Sequence, residues 1–257
     1  MDAHSPSLTW DRLQAAARSQ GAALWQLFDP ERITPESAAE TAVMAAQSGC
    51  DAFLIGGSTG SPVRFQAVCR AVHRAVDQPV VIFPNGAAQV FPDADAILFM
   101  SLLSGRNPEY LISQQVKGAP RVDECGLEAI PTAYLLIESG RTSAVEFISG
   151  TRPIPRTEVR IARDHALAAR YLGMRLLYLE AGSGAPEPVP AEMVRSCADI
   201  GLPIAVGGGV RHPRQAAELV AAGARFVVIG NRFEPRTDWT IFEEFVDAIH
   251  SQAQVPA

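Results

Sequence analysis

Eight short runs of consecutive apolar residues punctuate the chain: Leu24–Phe28, Ala52–Ile55, Val80–Phe83, Ala96–Met100, Ala133–Ile137, Leu176–Leu179, Pro203–Val206 and Phe226–Ile229. A parallel strand covered on both faces loses the in–out alternation of a half-exposed strand and reads as a continuous run of this kind. Most of these runs end in Gly, Ser, Asn, Pro or an acidic residue, and a stretch of helical spacing follows. Eight strand–helix repeats predict an α/β fold closed as a (β/α)8 TIM barrel.

The helix signals are local. Thr34 is placed to cap, Pro35 takes the first helical position, and Gly49 stands where a left-handed terminator belongs. Further helices are expected over Pro62–Val76, Glu158–Leu172, Pro190–Ile200 and from His212-Pro213 to Gly223. Upstream of the first strand, Trp10–Ser19 has amphipathic spacing and predicts an extra N-terminal helix placed to plug the barrel floor. Two intervals break the repeat. FPNGAAQVFPDADA (83–96) is too short and too rich in Gly and Pro for a crossover helix, so the third helix is expected to be reduced to a loop. The segment between Ile137 and Glu158 is longer than a usual strand-to-helix loop, and a small hairpin-like piece is expected at Ala144–Ile148.

Composition narrows the picture. The 257 residues suit one barrel domain spanning the chain (1–257), and 47% hydrophobic content suffices for a full core. A net charge of −6 argues against a nucleic-acid surface. The four cysteines (Cys50, Cys69, Cys125, Cys197) lie far apart without a CxxC pair, as expected of free thiols in the cytoplasm. No apolar run is long enough to span a bilayer; transient membrane contact, to collect a lipid substrate, stays compatible. Lys117 is the only lysine.

Candidate chemistry gathers at the strand ends. After strand 6 comes YLEAGSGAPEPVP (178–190), after strand 7 Gly207-Gly208-Gly209, and after strand 8 Gly230-Asn231. One glycine run is weak evidence, but three in register predict a phosphate held by backbone amides and a helix N-terminus. Glu180 ends strand 6, where a carboxylate faces the pocket. Strand 1 ends in Phe28-Asp29-Pro30 and strand 2 in GGSTG (56–60). Asp29 with Ser58 suits a Mg²⁺ that keeps waters and takes its other ligands from a diphosphate; the plainer readings are an Asx cap for Asp29 and a helix N-cap for Ser58. Arg106, Arg141, Arg152 and Arg156 fall in the loops after strands 4 and 5, as anion ligands or as solvated charges.

The motifs LFDPERITP (27–35), GGSTG, ILFMSLLSGRNP (97–108), GLEAIPTAYLLIE (126–138), RPIPR (152–156), YLEAGSGAPEPVP, VGGGVR (206–211) and IGN (229–231) together resemble the geranylgeranylglyceryl phosphate synthase family, over roughly residues 22–245. The likeness is to the branch carrying the long strand-6 motif. It implies a Mg²⁺-dependent barrel prenyltransferase that joins sn-glycerol 1-phosphate to an allylic prenyl diphosphate, and a homo-oligomer. By that resemblance Asp29 and Ser58 match metal positions. Tyr178, Leu179, Glu180, Ala181, Gly182, Ser183, Gly184, Gly208, Gly209, Gly230 and Asn231 match the glycerol-phosphate cradle, and Glu180 the base that deprotonates the acceptor hydroxyl. Tyr110 resembles the aromatic that limits donor length in members using the twenty-carbon donor; otherwise it is an aromatic on a packing face. Two departures stand out: Phe83-Pro84-Asn85-Gly86 exchanges the usual Gly-Asn order, and Thr157-Glu158-Val159 replaces an Asn-Lys-Pro run after RPIPR.

Three alternatives remain at this level. One is another phosphate-binding barrel enzyme acting on a sugar-like phosphate, which leaves Asp29 and GGSTG without a task. The second is prenyl transfer with a different donor length or three-carbon acceptor. The third is a catalytically silent barrel, against which Asp29, Glu180 and the three glycine turns argue.

Overall fold

The computed structural model describes residues 8–57, 60–230, 233 and 239–250. Eight parallel strands run in chain order: β1 (Ala23–Phe28), β2 (Ala52–Gly56), β3 (Val80–Phe83), β4 (Ala96–Leu102), β5 (Glu128–Leu136), β6 (Leu176–Glu180), β7 (Ile204–Gly207) and β8 (Phe226–Ile229). Each pairs with the next, and β1 also pairs with β8, Trp25 opposite Val228, so the sheet closes as a barrel. Seven strands coincide with the predicted runs to within about two residues. β5 begins five residues before the expected Ala133, because the ladder to β4 runs from Ala96 opposite Glu128 up to Leu102 opposite Tyr134. Long-range pairing there overrides the poor strand propensity of Glu128 and Pro131. Ile137, expected within that strand, makes an isolated bridge to Ile154.

Strand alternation sorts the apolar side chains into two layers. Trp25, Leu54, Leu98, Tyr178 and Phe226 fill the barrel interior. Phe28, Phe53, Leu135, Leu179 and Val206 pack outward beneath the helices. The outer layer comprises α2 (Pro35–Gln47), α3 (Pro62–Ala75), α4 (Gln114–Cys125), α6 (Val159–Tyr171), α7 (Ala191–Cys197), α8 (Pro213–Ala221) and α9 (Thr240–His250). Thr34 caps α2 as predicted, its side chain accepting from the Ser37 amide at 3.2 Å, and Gly49 follows at φ +98°.

The N-terminal helix α1 (Leu8–Gln20) sits at the barrel floor, with Trp10, Leu13 and Ala17 joining the interior cluster. Trp10 lies 5.9 Å from Phe226, which stacks on Trp25 at 4.2 Å. Glu128, at the start of β5, accepts from the Thr9 and Trp10 amides at 2.9 and 3.1 Å. A carboxylate thus satisfies the exposed amides of the plug's first turn and favours its positive end. The Arg175 guanidinium lies 5.5 Å above the Trp10 ring.

After β3 only one turn of 3-10 helix, Ala87–Gln89, replaces the crossover helix, as the Gly/Pro content predicted. The hairpin expected at Ala144–Ile148 is not formed. That segment is a helix, α5 (Ala144–Ser149), started by a capping box in which the Ser143 hydroxyl accepts from the Glu146 amide and Glu146 accepts from the Ser143 amide. Gly150 ends it at φ +64°.

Trp10→Ala should cost about 3–5 kcal/mol, the usual toll for truncating a buried aromatic, read as a lower urea midpoint with an unchanged slope. A loss below about 1 kcal/mol would mean that α1 rests against the barrel without plugging it.

Candidate active site

A cavity of about 1150 Å³ opens at the C-terminal ends of the strands. Glu180 stands at its floor, only 6% exposed, in register with Gly207 of β7 and Leu136 of β5. Its Oε1 accepts from the Gly182 amide at 2.6 Å. Burial pushes the Glu180 carboxyl up to about 7, and the Gly182 amide and neighbouring Tyr178 hydroxyl offset part of that rise. A carboxyl tuned there exchanges protons readily near neutrality.

Of the glycines after β7, Gly208 is dictated by this carboxylate and Gly209 by the backbone of the β6 turn. A Cβ at Gly208 would collide with Glu180 Oε1 and lie 2.7 Å from the Gly182 amide nitrogen; one at Gly209 would strike the Glu187 carbonyl. Both glycines also have left-handed φ, +79° and +73°. The β6 and β7 turns therefore touch through bare backbone, which brings their amides to one side of the cavity. Ser183, Gly184, Gly208, Gly209 and Gly230 all line that wall, as the cradle reading expects, with Tyr178 and Glu180 beneath.

Three predicted cradle residues are placed elsewhere. Leu179 points outward into the sheet–helix layer, and Ala181 is buried in the same layer. Gly182 backs the wall, where its amide holds Glu180. In a strand only alternate side chains face the barrel interior, so consecutive motif residues cannot all face it. Asn231 and Ser58 lie outside the described residues.

Asp29 lines the same cavity just past the end of β1, with β7 and β8 between it and β6. Its Oδ1 accepts from the Glu31 amide at 3.1 Å and its Oδ2 lies 3.4 Å from Arg32 Nε, so the Asx-turn reading is realised, and at the cavity lip. Among the described residues no three His, Cys, Asp or Glu side chains gather as a metal site. A single carboxylate fits only a cation that carries water or substrate oxygens as its other ligands.

Sequence reasoning named Tyr178 and Arg141 singly but missed the two arrangements to which they belong. Phe83, Tyr134 and Tyr178 form an aromatic floor, with ring centroids 5.1 Å (Phe83–Tyr178) and 5.5 Å (Tyr134–Tyr178) apart. All three are inward positions on their strands, so period-two counting would have found them. The second is a pair of arginines over the β6 turn: Arg141 Nη2 donates to the Ser183 carbonyl at 2.6 Å, and Arg211 Nη2 to those of Gly184 and Ala185 at 3.2 and 3.0 Å. Of the other loop arginines, Arg156 grips Glu138 and Pro188 carbonyls, and Arg106 and Arg152 lie in a separate depression. Lys117 pairs with Glu109 at 2.5 Å on an exposed helix face, away from the cavity, which removes the lysine a Schiff-base enzyme needs.

One arm of the cavity leaves the barrel. Ile97 and Phe99 belong to the outward layer of β4, yet both line it beside Ala87, Val90 and Gly118. They do so because the 3-10 turn replaces a full helix there. Tyr110, in the π-helical turn Glu109–Ser113 that leads into α4, is half-buried along this cavity.

Residues 21–251 match the PcrB family. The chain belongs to that family. It is 47% identical over 223 residues to a geranylgeranylglyceryl phosphate synthase of Methanopyrus kandleri, covering 87% of this chain and 92% of that protein. Its fold is similar to that of the (S)-3-O-geranylgeranylglyceryl phosphate synthase from Thermoplasma acidophilum, crystallised in complex with sn-glycerol-1-phosphate. The TM-score is 0.86 at 34% identity, covering 93% of this chain and 98% of that one. The Thermoplasma volcanium relative superposes with a TM-score of 0.87 at 31% identity, over 93% and 97% of the two chains. The family resemblance drawn from the eight motifs is thereby borne out, as is the TIM barrel.

The buried carboxyl gives this PcrB-family chain a pH signature of its own. In the unfolded chain Glu180 titrates near the ordinary glutamate value; folded, it titrates at about 7. Between those values the folded state binds the extra proton, so its contribution is complete below the unfolded pKa and is lost as pH rises through about 7. Glu180→Gln should remove that decline, worth at most about 3 kcal/mol. Denaturant unfolding at pH 5 and pH 8 reads it; equal pH dependence in the variant and parent would show that Glu180 is solvated.

Proposed function

We propose that this chain is a prenyltransferase moving a geranylgeranyl group from its allylic diphosphate to the hydroxyl of sn-glycerol 1-phosphate, with Mg²⁺. The observation carrying this reading is the juxtaposition of Glu180, buried and poised at about 7, with the glycine turns of β6, β7 and β8 on one cavity wall. The activity and the bound glycerol phosphate of its relatives support it.

The chain's own groups divide the work. Amides around Ser183, Gly184, Gly208 and Gly209 hold the acceptor phosphate. Glu180 takes the hydroxyl proton as the new C–O bond forms at C1 of the donor and the diphosphate leaves. Asp29 holds the metal from the β1 side of the mouth; when bound, Mg²⁺ supplies positive charge to the departing diphosphate. The apolar arm past Ile97 and Phe99 houses the prenyl tail and keeps water from the allylic carbon. A lipid donor reaches this arm by transient contact with a bilayer; among the described residues no helix is long and apolar enough to cross a membrane.

Incubation with geranylgeranyl diphosphate, glycerol 1-phosphate and Mg²⁺ should release diphosphate and yield the ether. Absence of both products from folded protein overturns the reading. Glu180→Gln should lower kcat about 10²–10⁴-fold. It should also abolish the rise of rate with pH through about 7 that an ionising base requires. A variant with near-parental kcat would leave Glu180 as an orienting group only.

Tyr110 sets the donor length. Tyr110→Ala should allow a thirty-five-carbon donor to react at a rate near that of the twenty-carbon one, measured by product chromatography. Continued rejection of the longer donor by the folded variant would place the limit elsewhere along the arm.

A further inference from the structure

The β5–α5 loop and the β6 turn are locked face to face. A Cβ at Gly182 would lie 2.8 Å from Cβ of Ser143, and one at Gly184 2.8 Å from Arg141 Nη2. The loop is fixed at both ends: Gly140 takes φ +79° before Arg141, and the Ser143–Glu146 capping box starts α5 after it. Arg141 is thus presented across the cavity mouth, 42 residues away in sequence from the carbonyl it meets at 2.6 Å. That bond uses one of a guanidinium's five N–H donors. Arg141 lines the cavity together with Ser183 and Gly184, and its Nη2 is the atom nearest a Cβ placed on Gly184.

We propose that Arg141 is a specificity-determining residue of the acceptor site, closing over the phosphate that the Ser183-Gly184 amides hold and making the site select a phosphorylated acceptor. This rests on the reading of that wall as a phosphate cradle. Amides alone attract an anion weakly and leave its outer oxygens in water; a planar guanidinium at the rim supplies the paired donors a phosphate accepts best. The position also separates acceptor from donor. Arg141 sits on the β6 side of the mouth, whereas Asp29 and Arg32, on the β1 side, line the wall assigned to the diphosphate. The bond to the Ser183 carbonyl pre-orients the side chain, so little rotamer freedom is lost when the anion arrives.

The test needs no turnover. Inorganic phosphate and glycerol 1-phosphate binding to the full chain is measured by calorimetry, and geranylgeranyl diphosphate binding by tryptophan fluorescence, for the parent, Arg141→Ala and Arg141→Lys. Arg141→Ala should weaken both phosphate ligands about tenfold or more and leave diphosphate affinity and thermal midpoint unchanged. Arg141→Lys should recover only part of the loss, since it keeps the charge but not the planar pair of donors. Unchanged phosphate affinity in Arg141→Ala, or a loss confined to the prenyl diphosphate, overturns the assignment. An equal loss of all three ligands with a lowered midpoint makes Arg141 a loop brace and overturns it too. Failure of prenyl transfer with the phosphate results intact would refute the proposed reaction while sparing Arg141.

Discussion

Closure of the sheet through the β1–β8 pairing sets the direction in which every functional group faces. With all strands parallel, their C-terminal ends share one rim, and strand alternation decides which last residue points inward. Glu180 and Asp29 come from β6 and β1, with two strands between them around the ring, yet they face the same opening. No local preference of either segment could arrange that. The plug α1 belongs to the same constraint: a barrel closed at its rim still exposes Trp25 and Phe226 at its base, and Trp10 covers them.

The electrostatics of the floor follow from packing. Tyr178 and Tyr134, stacked with Phe83 in the aromatic floor, lie beside the carboxylate, and the neighbouring turn has no side chains to add donors. Desolvation therefore dominates, and only the Gly182 amide and the Tyr178 hydroxyl stabilise the charged form. Had β7 ended in residues with side chains, they would have displaced Glu180 or provided it with partners. Either change would move its proton affinity away from neutrality. The bare turn thus serves the carboxylate directly.

Much of this was legible in the chain, for identifiable reasons. Runs such as Val80–Phe83 and Phe226–Ile229 are bounded by strong punctuation, so pattern and structure coincide. Thr34-Pro35 and Gly49 carry their own terminating geometry. The Ala144–Ile148 segment failed because β-branched and aromatic residues suggested strands, while Ser143 and Glu146, three apart, already spelled a capping box. The extent of β5 was not readable locally, since it depends on β4 being long enough to pair with Glu128. The site was legible as a set of strand ends, but not as contacts. Nothing in the spacing of Arg141 and Ser183 announces that they meet, because the two loops converge only when adjacent strands are parallel and the intervening α6 is packed outside.

The reduced third helix ties fold to chemistry. In a regular barrel each outward strand face is buried by its own helix, and Ile97 and Phe99 would need such a cover. Here Ala87–Gln89 gives one turn, held to α4 by the bond from the Ala87 amide to Gln114. A Cβ at Gly118 of α4 would lie 3.6 Å from Ala87, an ordinary contact, so the glycine simply adds no side chain in place of the missing helix. Ile97 is buried all the same, but Phe99 stays partly exposed to the cavity, a cost of roughly 25 cal/mol per Å² of apolar surface left in water. An apolar ligand entering the arm recovers that energy. On the proposed reading, the prenyl tail takes the place of the helix. The free energy gained far from the reacting carbon then helps to hold C1 of the donor over Glu180, where the acceptor oxygen must attack.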